Sequence, residues 1–137
     1  ARRDRTKAAL LFLDLDGFKA VNDRLGHDAG DAVLKEVAVR LSAGMRATDS
    51  VMRIGGDEFL VLLTDVRDNA TVAWLAGKLI EAIRAPFHCC PETVSIRASI
   101  GIAVFPDHDM TAEELIKRAD AAMYAVKQEC KNGYRFA

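Results

Sequence analysis

Hydrophobic positions change their spacing several times along the chain, which predicts strands alternating with helices. A nearly continuous apolar run, Ala8–Leu15, is typical of a strand buried on both faces of a sheet. Two shorter runs, Ser50–Ile54 and Phe59–Leu63, flank a Gly-Gly pair. This predicts a hairpin, because glycine reaches the positive φ angles that tight turns need. Thr93–Phe105 predicts one long bent strand or two segments, with Gly101 marking a bulge or a close backbone approach.

Helical spacing occupies the stretches between these runs. It predicts helices over Phe18–Leu25, Asp31–Met45, Thr71–Ala85 and from Thr111 to about Cys130. Gly26 ends the first helix and Pro86 the third, while Thr111 and Glu114 form a capping box that opens the last. Tyr134–Phe136 predicts an edge strand. The order of elements predicts an α/β or α+β domain.

Bulk properties narrow the class of protein only slightly. A chain of 137 residues has the length of one domain. The net charge of −1 argues against electrostatic binding to nucleic acid, and no segment approaches the roughly 20 apolar residues that cross a membrane. The three cysteines, of which Cys89 and Cys90 are adjacent, fit neither a disulfide framework nor a metal-ligand spacing. This cysteine pattern favours a reducing compartment, so we expect a cytoplasmic protein.

Two acidic clusters are the first sign of chemistry. Asp14 and Asp16 end the first apolar run, and Asp57 and Glu58 follow the glycine pair of the hairpin. A carboxylate at the end of a buried strand is costly unless it is paired or bound to a metal. If the strands are neighbours, Asp14 and Asp57 converge on one cation, and Mg²⁺ is the natural choice because it prefers oxygen ligands. Taken alone, the hairpin acids are explained equally well as a solvated turn.

Five segments in this order resemble the GGDEF domain of diguanylate cyclases. They are Asp14–Asp23, Gly26–Asp31, Gly55–Phe59, Ser99–Ala103 and Ala119–Lys127. The resemblance extends from about Ala8 to Asn132. It implies a palm-like sandwich, a central mainly antiparallel sheet flanked by helices, similar to nucleotidyl cyclases. Residues 1–137 would form a single GGDEF domain that lacks the N-terminal helix segment usual in the family, which we interpret as a fragment.

The resemblance implies condensation of two GTP molecules into cyclic di-GMP with release of pyrophosphate. Two domains would form a homodimer, and each would supply half of the catalytic site. Asp14, the carbonyl of Leu15 and Asp57 would hold Mg²⁺, for which Mn²⁺ is a possible substitute. Glu58 is the remaining acid of the signature, a candidate for holding a second metal or for abstracting a proton.

The same resemblance assigns guanine recognition to Asn22 and Asp31, and it places His27 in the lining of the pocket. A carboxylate accepts hydrogen bonds from the N1–H and amino group of guanine, donors that adenine lacks there. Without the resemblance, Asp31 is explained as an acid in the first turn of a helix, and His27 as a hydrogen-bonded turn residue.

Phosphate binding is expected at two places. The backbone N–H groups of Gly17, Phe18 and Lys19 open a helix, and helix N-termini bind anions. Lys127 and Lys131 share a face of the last helix, although lysines favour helix C-termini in any case. The family usually has Gly-Arg where this chain has Cys130-Lys131, so we expect weaker phosphate binding here.

Arg46 and Asp49 match an Arg-x-x-Asp motif that binds product and inhibits members of the family. Arginine binds phosphate bidentately and stacks on guanine, and aspartate accepts from the guanine edge. The pair predicts a regulatory site for cyclic di-GMP.

Two other functions stay open at this stage. One is a regulatory module that binds GTP or cyclic di-GMP and controls an attached domain, such as a phosphodiesterase, in a longer chain. The other is a different palm-type nucleotidyl cyclase or polymerase, which the guanine-binding and hairpin segments disfavour.

Overall fold

Five strands and four helices make up the computed structural model of the protein, which describes residues 7–88, 92–106, 111–129 and 133–137. They are β1 (Lys7–Asp16), α1 (Phe18–Leu25), α2 (His27–Ala43), β2 (Ser50–Gly55), β3 (Glu58–Val66), α3 (Asn69–Arg84), β4 (Arg97–Pro106), α4 (Ala112–Glu129) and β5 (Gly133–Phe136). The strands form one sheet in the order β2-β3-β1-β4-β5, in which only β4 and β5 are parallel. The predicted mainly antiparallel sheet and the edge strand at Tyr134–Phe136 are confirmed.

The sheet separates two hydrophobic cores, and the central strand β1 contributes to both. It does so because successive side chains of a strand point to opposite faces. Its odd-numbered residues from Ala9 to Leu15 join a large core with α1, α2 and α3. Leu10 and Phe12 point the other way and pack against Leu115, Ala119 and Met123 of α4. Asp14 and Asp16 continue that second face, so the acidic end of β1 lies on the side of the sheet that α4 covers.

Gly101 of β4 is a site of close backbone approach. A Cβ atom at this position would overlap the carbonyl oxygen of Ala119 and the backbone nitrogen of Met123, both in α4. The register between β1 and β4 runs without a shift from Lys7 to Asp16. Of the two predicted alternatives for Gly101, the close approach is therefore right and the bulge is wrong.

Two helices begin earlier than the hydrophobic spacing predicts. Helix α2 begins at His27, one turn before the predicted Asp31, directly after Gly26 with φ of 94°. Helix α3 begins at Asn69 rather than Thr71, because the Asp68 side chain caps it by accepting from the Thr71 N–H at 2.8 Å. Both errors arise because the first turn of a helix is fixed by capping geometry rather than by apolar residues.

The predicted hairpin is present, but the predicted reason for its glycines is wrong. Gly55 pairs with Glu58 across a turn of Gly56 and Asp57, and the register shifts between Arg53 and Gly55. Neither glycine of the turn has a positive φ angle. A Cβ at Gly56 would meet no heavy atom within 4 Å. The absence of a side chain therefore leaves the backbone beside Asp57 open to an approaching molecule.

No helix among the described residues combines the length and the apolar character needed to span a lipid bilayer.

The capping box at the start of α4 is confirmed, since the Glu114 N–H donates to Thr111 Oγ1 at 3.2 Å.

Candidate active site

The acids predicted to share a cation are brought together at one end of the sheet. Asp14 of β1 lies directly opposite Glu58 of β3, and the Leu15 N–H donates to the Asp57 carbonyl at 3.1 Å. Residues directly opposite in an antiparallel pair place their side chains on the same face of the sheet. The structure thus makes neighbours of the four residues assigned to metal and catalysis.

The carboxylate of Asp14 is in an unfavourable environment. The residue is 8% exposed, and its Oδ1 has no hydrogen-bond partner among the described residues. Burial raises the pKa of Asp14 from 3.8 to about 6; the Lys127 hydrogen bond opposes this, and the charges of Asp57 and Glu58 add to it. A buried acid that is short of partners and repelled by two others is stabilised by a cation.

These residues fit Mg²⁺ in number and kind. Within the described ranges there is no group of three or more His, Cys, Asp or Glu side chains arranged for metal binding. Mg²⁺ does not need such a cage, since it usually takes one or two carboxylates and completes its shell with water and substrate phosphates. Asp14, Asp57 and the Leu15 carbonyl supply such a partial set.

Lys127 reaches this acidic end from the last turn of α4. Its Nζ donates to Asp14 Oδ2 at 2.8 Å and lies 3.6 Å from Asp16 Oδ1. Burial alone would lower the pKa of Lys127, but the Asp14 hydrogen bond and the charges of Asp14, Asp16 and Asp57 raise it. The sequence placed Lys127 near phosphate; the structure places its cation on the acid assigned to the metal.

Ser99 was missed by the sequence reasoning, and Asp16 was noted there without a role. The Ser99 hydroxyl, which is fully buried in β4, donates to Asp16 Oδ2 at 2.6 Å. Asp16 therefore lies between Ser99, whose hydroxyl it accepts from, and the Lys127 ammonium. Both residues stand inside the motif segments quoted above, but their pairing depends on the β1–β4 register, in which Asp14 lies opposite Ser99.

The start of α1 is free of the groups that normally cap a helix. Gly17 precedes it with φ of 90° and ψ of 0°, no side chain in the described part of the chain caps its N-terminus, and its first turn contains no acid. Helix α3, by contrast, is capped by Asp68. The backbone at Phe18 and Lys19 is therefore a favourable position for an anion, directly after the acidic end of β1.

Asn22 lies against Gly30, the residue directly before Asp31 in α2. A Cβ on Gly30 would overlap Asn22 Oδ1, so the asparagine side chain lies directly on the first turn of α2. Asp31 follows on the same helix and is exposed. His27 is the first residue of α2 and is exposed, and its side chain makes no hydrogen bond or ion pair with another described residue that would assign it a role.

A cavity of about 350 Å³ adjoins Asp31 and contains further residues that the sequence reasoning did not single out. Its lining is formed by Asp31, Leu34, Lys35, Ala38, Arg53 and Phe59. Arg53 donates from Nε to the Gly56 carbonyl at 3.0 Å, which connects this cavity to the hairpin turn. Arg53 immediately precedes the Ile54-Gly55-Gly56 run, so its position in the motif was the available signal.

Arg46 and Asp49 form a tight pair away from the acidic cluster. Asp49 Oδ2 accepts from the Arg46 N–H at 3.0 Å and from Nε at 3.2 Å, and Oδ1 accepts from Nη2 at 3.1 Å. The hydrogen bonds from Arg46 hold the pKa of Asp49 below its usual range, against the effect of burial. The Asp49 side chain is 3% exposed and the Arg46 side chain 55%. Lys131, expected to bind phosphate, lies outside the described residues.

Comparisons with known proteins agree with this arrangement. The profile of the family described as Diguanylate cyclase, GGDEF domain, matches residues 1–133. The chain is 52% identical over 136 residues to the bifunctional diguanylate cyclase/cyclic di-GMP phosphodiesterase MucR of Pseudomonas aeruginosa, and 42% identical over 138 residues to its diguanylate cyclase TpbB. These matches cover 99% and 100% of the chain, but only 20% of MucR and 32% of TpbB.

Solved structures show the same fold. The GGDEF domain of TpbB superimposes with a TM-score of 0.90 at 42% identity, covering 96% of this chain and 83% of that one. The GGDEF domain of DgcB from Caulobacter crescentus, solved in complex with c-di-GMP, gives 0.85 at 27% identity, covering 96% and 78%. The chain belongs to the GGDEF domain family of diguanylate cyclases, as its motifs predicted.

Proposed function

We propose that this domain condenses two molecules of GTP into cyclic di-GMP and releases pyrophosphate. The observation that carries the proposal is the end of β1, where the partly unsatisfied carboxylate of Asp14 lies beside Asp57 and Glu58. The uncapped start of α1 follows two residues later. Cation-binding oxygens and anion-binding N–H groups are thus adjacent, which is what a nucleoside triphosphate with its metal requires.

Asp14, Asp57 and the Leu15 carbonyl would hold Mg²⁺, or Mn²⁺ in its place. The bound ion would polarise the α-phosphate of GTP and lower the pKa of the attacking 3′-hydroxyl. Glu58, directly opposite Asp14, is our candidate to accept the proton of that hydroxyl. Lys127 would exchange its Asp14 partner for phosphate oxygens when a cation neutralises the acid.

The base of GTP would be read by Asn22 and Asp31. The Asp31 carboxylate accepts from the N1–H and amino group of guanine, and the Asn22 amide offers both a donor and an acceptor. Gly30 gives the Asn22 side chain room beside the start of α2, since any larger residue at position 30 would displace Asn22. The cavity beside Asp31, with Phe59 in its wall, supports this location for the base.

The reaction requires two domains. Each 3′-hydroxyl must attack the α-phosphate of the other GTP, so two sites must face each other in a homodimer. Positioning and charge neutralisation would supply most of the rate enhancement. We further propose that cyclic di-GMP inhibits the domain through Arg46, whose guanidinium is half-exposed and can contact a phosphate of the product.

The test is to incubate the protein with Mg²⁺ and GTP and to separate the nucleotides by chromatography. We expect cyclic di-GMP, at a specific rate that rises with protein concentration because the active species is a dimer. Asp57→Asn and Glu58→Gln should abolish the product, whereas Asp120→Asn, a change of an exposed acid on α4, should not. Product formation unaffected by both active-site changes, or a cyclic mononucleotide instead, would refute the proposal.

The second candidate is a regulatory module that binds guanine nucleotides without converting them. It is favoured by the match to MucR, which is bifunctional and of which this chain spans 20%. The ion pair between Lys127 and Asp14 is compatible with it as well, because it neutralises Asp14 without a metal. Measurable GTP binding without turnover, at protein concentrations where the domain is shown to be dimeric, would select this function.

A further inference from the structure

Ser99 is a buried polar side chain in a largely apolar strand. The buried side chains that the structure describes in the rest of β4 are hydrophobic: Ala98, Ile100, Ile102 and Ala103. A buried hydroxyl is costly unless it makes a hydrogen bond, and alanine at this position would not carry that requirement. The Ser99 hydroxyl donates to Asp16 Oδ2 at 2.6 Å, a distance typical of a bond to an ionised carboxylate. Ser99 therefore has one specific partner, and that partner is charged.

Asp16 in turn faces Lys127. The Asp16 side chain is 7% exposed, and its Oδ1 lies 3.6 Å from the Lys127 Nζ. That distance is too long for a hydrogen bond but short enough for attraction between the two charges. The hydrogen bond of the ammonium goes to Asp14 Oδ2 at 2.8 Å. Lys127 is thus bonded to one acid while a second acid lies within its reach.

Strand β4 also fixes the helix that carries Lys127. Gly101 allows α4 to approach so closely that a Cβ would overlap the backbone at Ala119 and Met123. Met123 lies one turn before Lys127 on the same face of α4, and Ser99 lies on the same face of β4 as Gly101. The same strand therefore sets both the position of the lysine backbone and, through Ser99, the carboxylate that faces its ammonium group.

Lys127 needs a second partner under the function proposed above. When Asp14 holds a cation, the ammonium loses its hydrogen-bond acceptor and lies beside a like charge. Lysine has a flexible four-carbon stem, so an ammonium without a fixed anion must be ordered when phosphate binds, which weakens binding. The Asp16 carboxylate, held by Ser99 in one orientation, is an anion already in place.

We propose that Ser99 and Asp16 are positioning residues for Lys127. Ser99 fixes the Asp16 carboxylate, and Asp16 holds the ammonium in place for phosphate once Asp14 has turned to the cation. The inference rests on the proposed function, because it takes the phosphates of bound GTP as the partner of Lys127. It gives a role to a hydroxyl that touches neither nucleotide nor metal.

A double-mutant cycle tests this sequence of contacts. Wild type, Ser99→Ala, Lys127→Met and the double variant are titrated calorimetrically with a non-reactive GTP analogue in the presence of Mg²⁺. Ser99→Ala should weaken binding about fivefold, equivalent to about 1 kcal/mol, because the loss of the hydrogen bond allows the Asp16 carboxylate to turn. The same change should have no effect in the Lys127→Met background, since Ser99 acts only through the ammonium.

Asp16→Asn gives a second route to the same result. Asparagine keeps the shape of aspartate and can still accept from Ser99, but it has no charge to hold the ammonium. The variant should bind the analogue more weakly than wild type, whereas in the Lys127→Met background it should not weaken binding further. For either substitution, a loss of equal size in both backgrounds would overturn the inference, as would wild-type affinity in Ser99→Ala.

Ile102→Val is the matched control for an effect on stability alone. Ile102 is fully buried in the same strand but belongs to the core on the opposite face of the sheet. The loss of one methylene group should lower the melting temperature and leave the affinity for the analogue unchanged. A loss of affinity as large as that of Ser99→Ala would show that loosening β4 is sufficient, and would overturn the positioning role.

The analogue is not converted, so these outcomes do not depend on turnover. Equal affinities of wild type and Lys127→Met would show that the ammonium does not reach phosphate, which would overturn this inference and leave conversion of GTP to its own assay. Coupling between Ser99 and Lys127, together with no cyclic di-GMP from GTP, would support this inference and overturn the proposed cyclase activity.

Discussion

Replacing Asp14 with asparagine should stabilise the metal-free protein at neutral pH while destroying its metal response. The carboxylate of Asp14 is buried beside Asp57 and Glu58, and one of its oxygens has no hydrogen-bond partner among the described residues. Asparagine keeps the shape and can still accept from Lys127, but it carries no charge. The substitution removes an energetic cost that the wild type bears only when the group is ionised.

The size of the expected stabilisation follows from the pKa of Asp14, which is raised from 3.8 to about 6. Below pH 3.8 the group is protonated in both the folded and unfolded states and costs nothing. As the pH rises through about 6, the folded protein must ionise a group that the unfolded chain ionises more easily, so stability is lost. A shift of about two pKa units corresponds to about 3 kcal/mol. For a domain of this size, that equals about 10 °C in melting temperature.

Thermal unfolding of both proteins between pH 4 and pH 7.5, without and with Mg²⁺, is the assay. The melting temperature of Asp14→Asn minus that of the wild type should increase with pH when metal is absent. Mg²⁺ should then raise the unfolding free energy of the wild type, by about 2.7 kcal/mol at a concentration a hundred times the dissociation constant. It should leave the unfolding free energy of the variant unchanged. Asp120→Asn, on the exposed side of α4, should follow the wild type throughout. A difference that stays constant or decreases with pH would refute the reasoning.

Three further predictions concern the surroundings of the site. Gly30→Ala should raise the Michaelis constant for GTP about tenfold (about 1.4 kcal/mol) with a smaller effect on melting temperature, because the new methyl group meets side chains rather than backbone, chiefly Asn22 and then the Phe18 ring; an unchanged constant would contradict this. Gly101→Ala should cost about 3 kcal/mol or more in urea unfolding, since the methyl group would meet α4 backbone that cannot rotate away; near-wild-type stability would disprove the close packing. Lys127→Met should raise the pKa of Asp14 above 6 in a carbon-13 NMR titration, because a hydrogen bond and a positive charge that lower it are lost; a fall would show that the pair is not formed in solution.

The sequence alone was sufficient to predict the strands and helices whose apolar patterns are set by burial. β1 is an uninterrupted apolar run because both faces of the central strand are covered, and α4 shows its apolar stripe because it packs on that strand. The ends of the helices were harder to predict. Gly26 and Asp68 begin α2 and α3 through backbone conformation and side-chain capping, and neither residue belongs to an apolar pattern.

The sequence predicted the members of the candidate site but not the contacts between them. Asp14 and Asp57 were expected to meet, and the β1–β3 register makes them neighbours. The ion pair between Lys127 and Asp14 spans a separation of 113 residues and depends on how α4 lies over the sheet. The burial of Asp49 behind Arg46 likewise depends on Thr64 from β3. Such contacts are products of tertiary packing, and no local spacing encodes them.

The central claim is that Asp14 and Asp57 hold one divalent cation together with GTP. It is tested most directly by anomalous diffraction from crystals grown with Mn²⁺ and a non-reactive GTP analogue. We predict an anomalous peak within about 2.3 Å of an oxygen of each of the two carboxylates, with Lys127 moved from Asp14 to phosphate. Bound nucleotide with the Mn²⁺ peak elsewhere, or with Lys127 still donating to Asp14 and no peak between the two acids, would contradict the account.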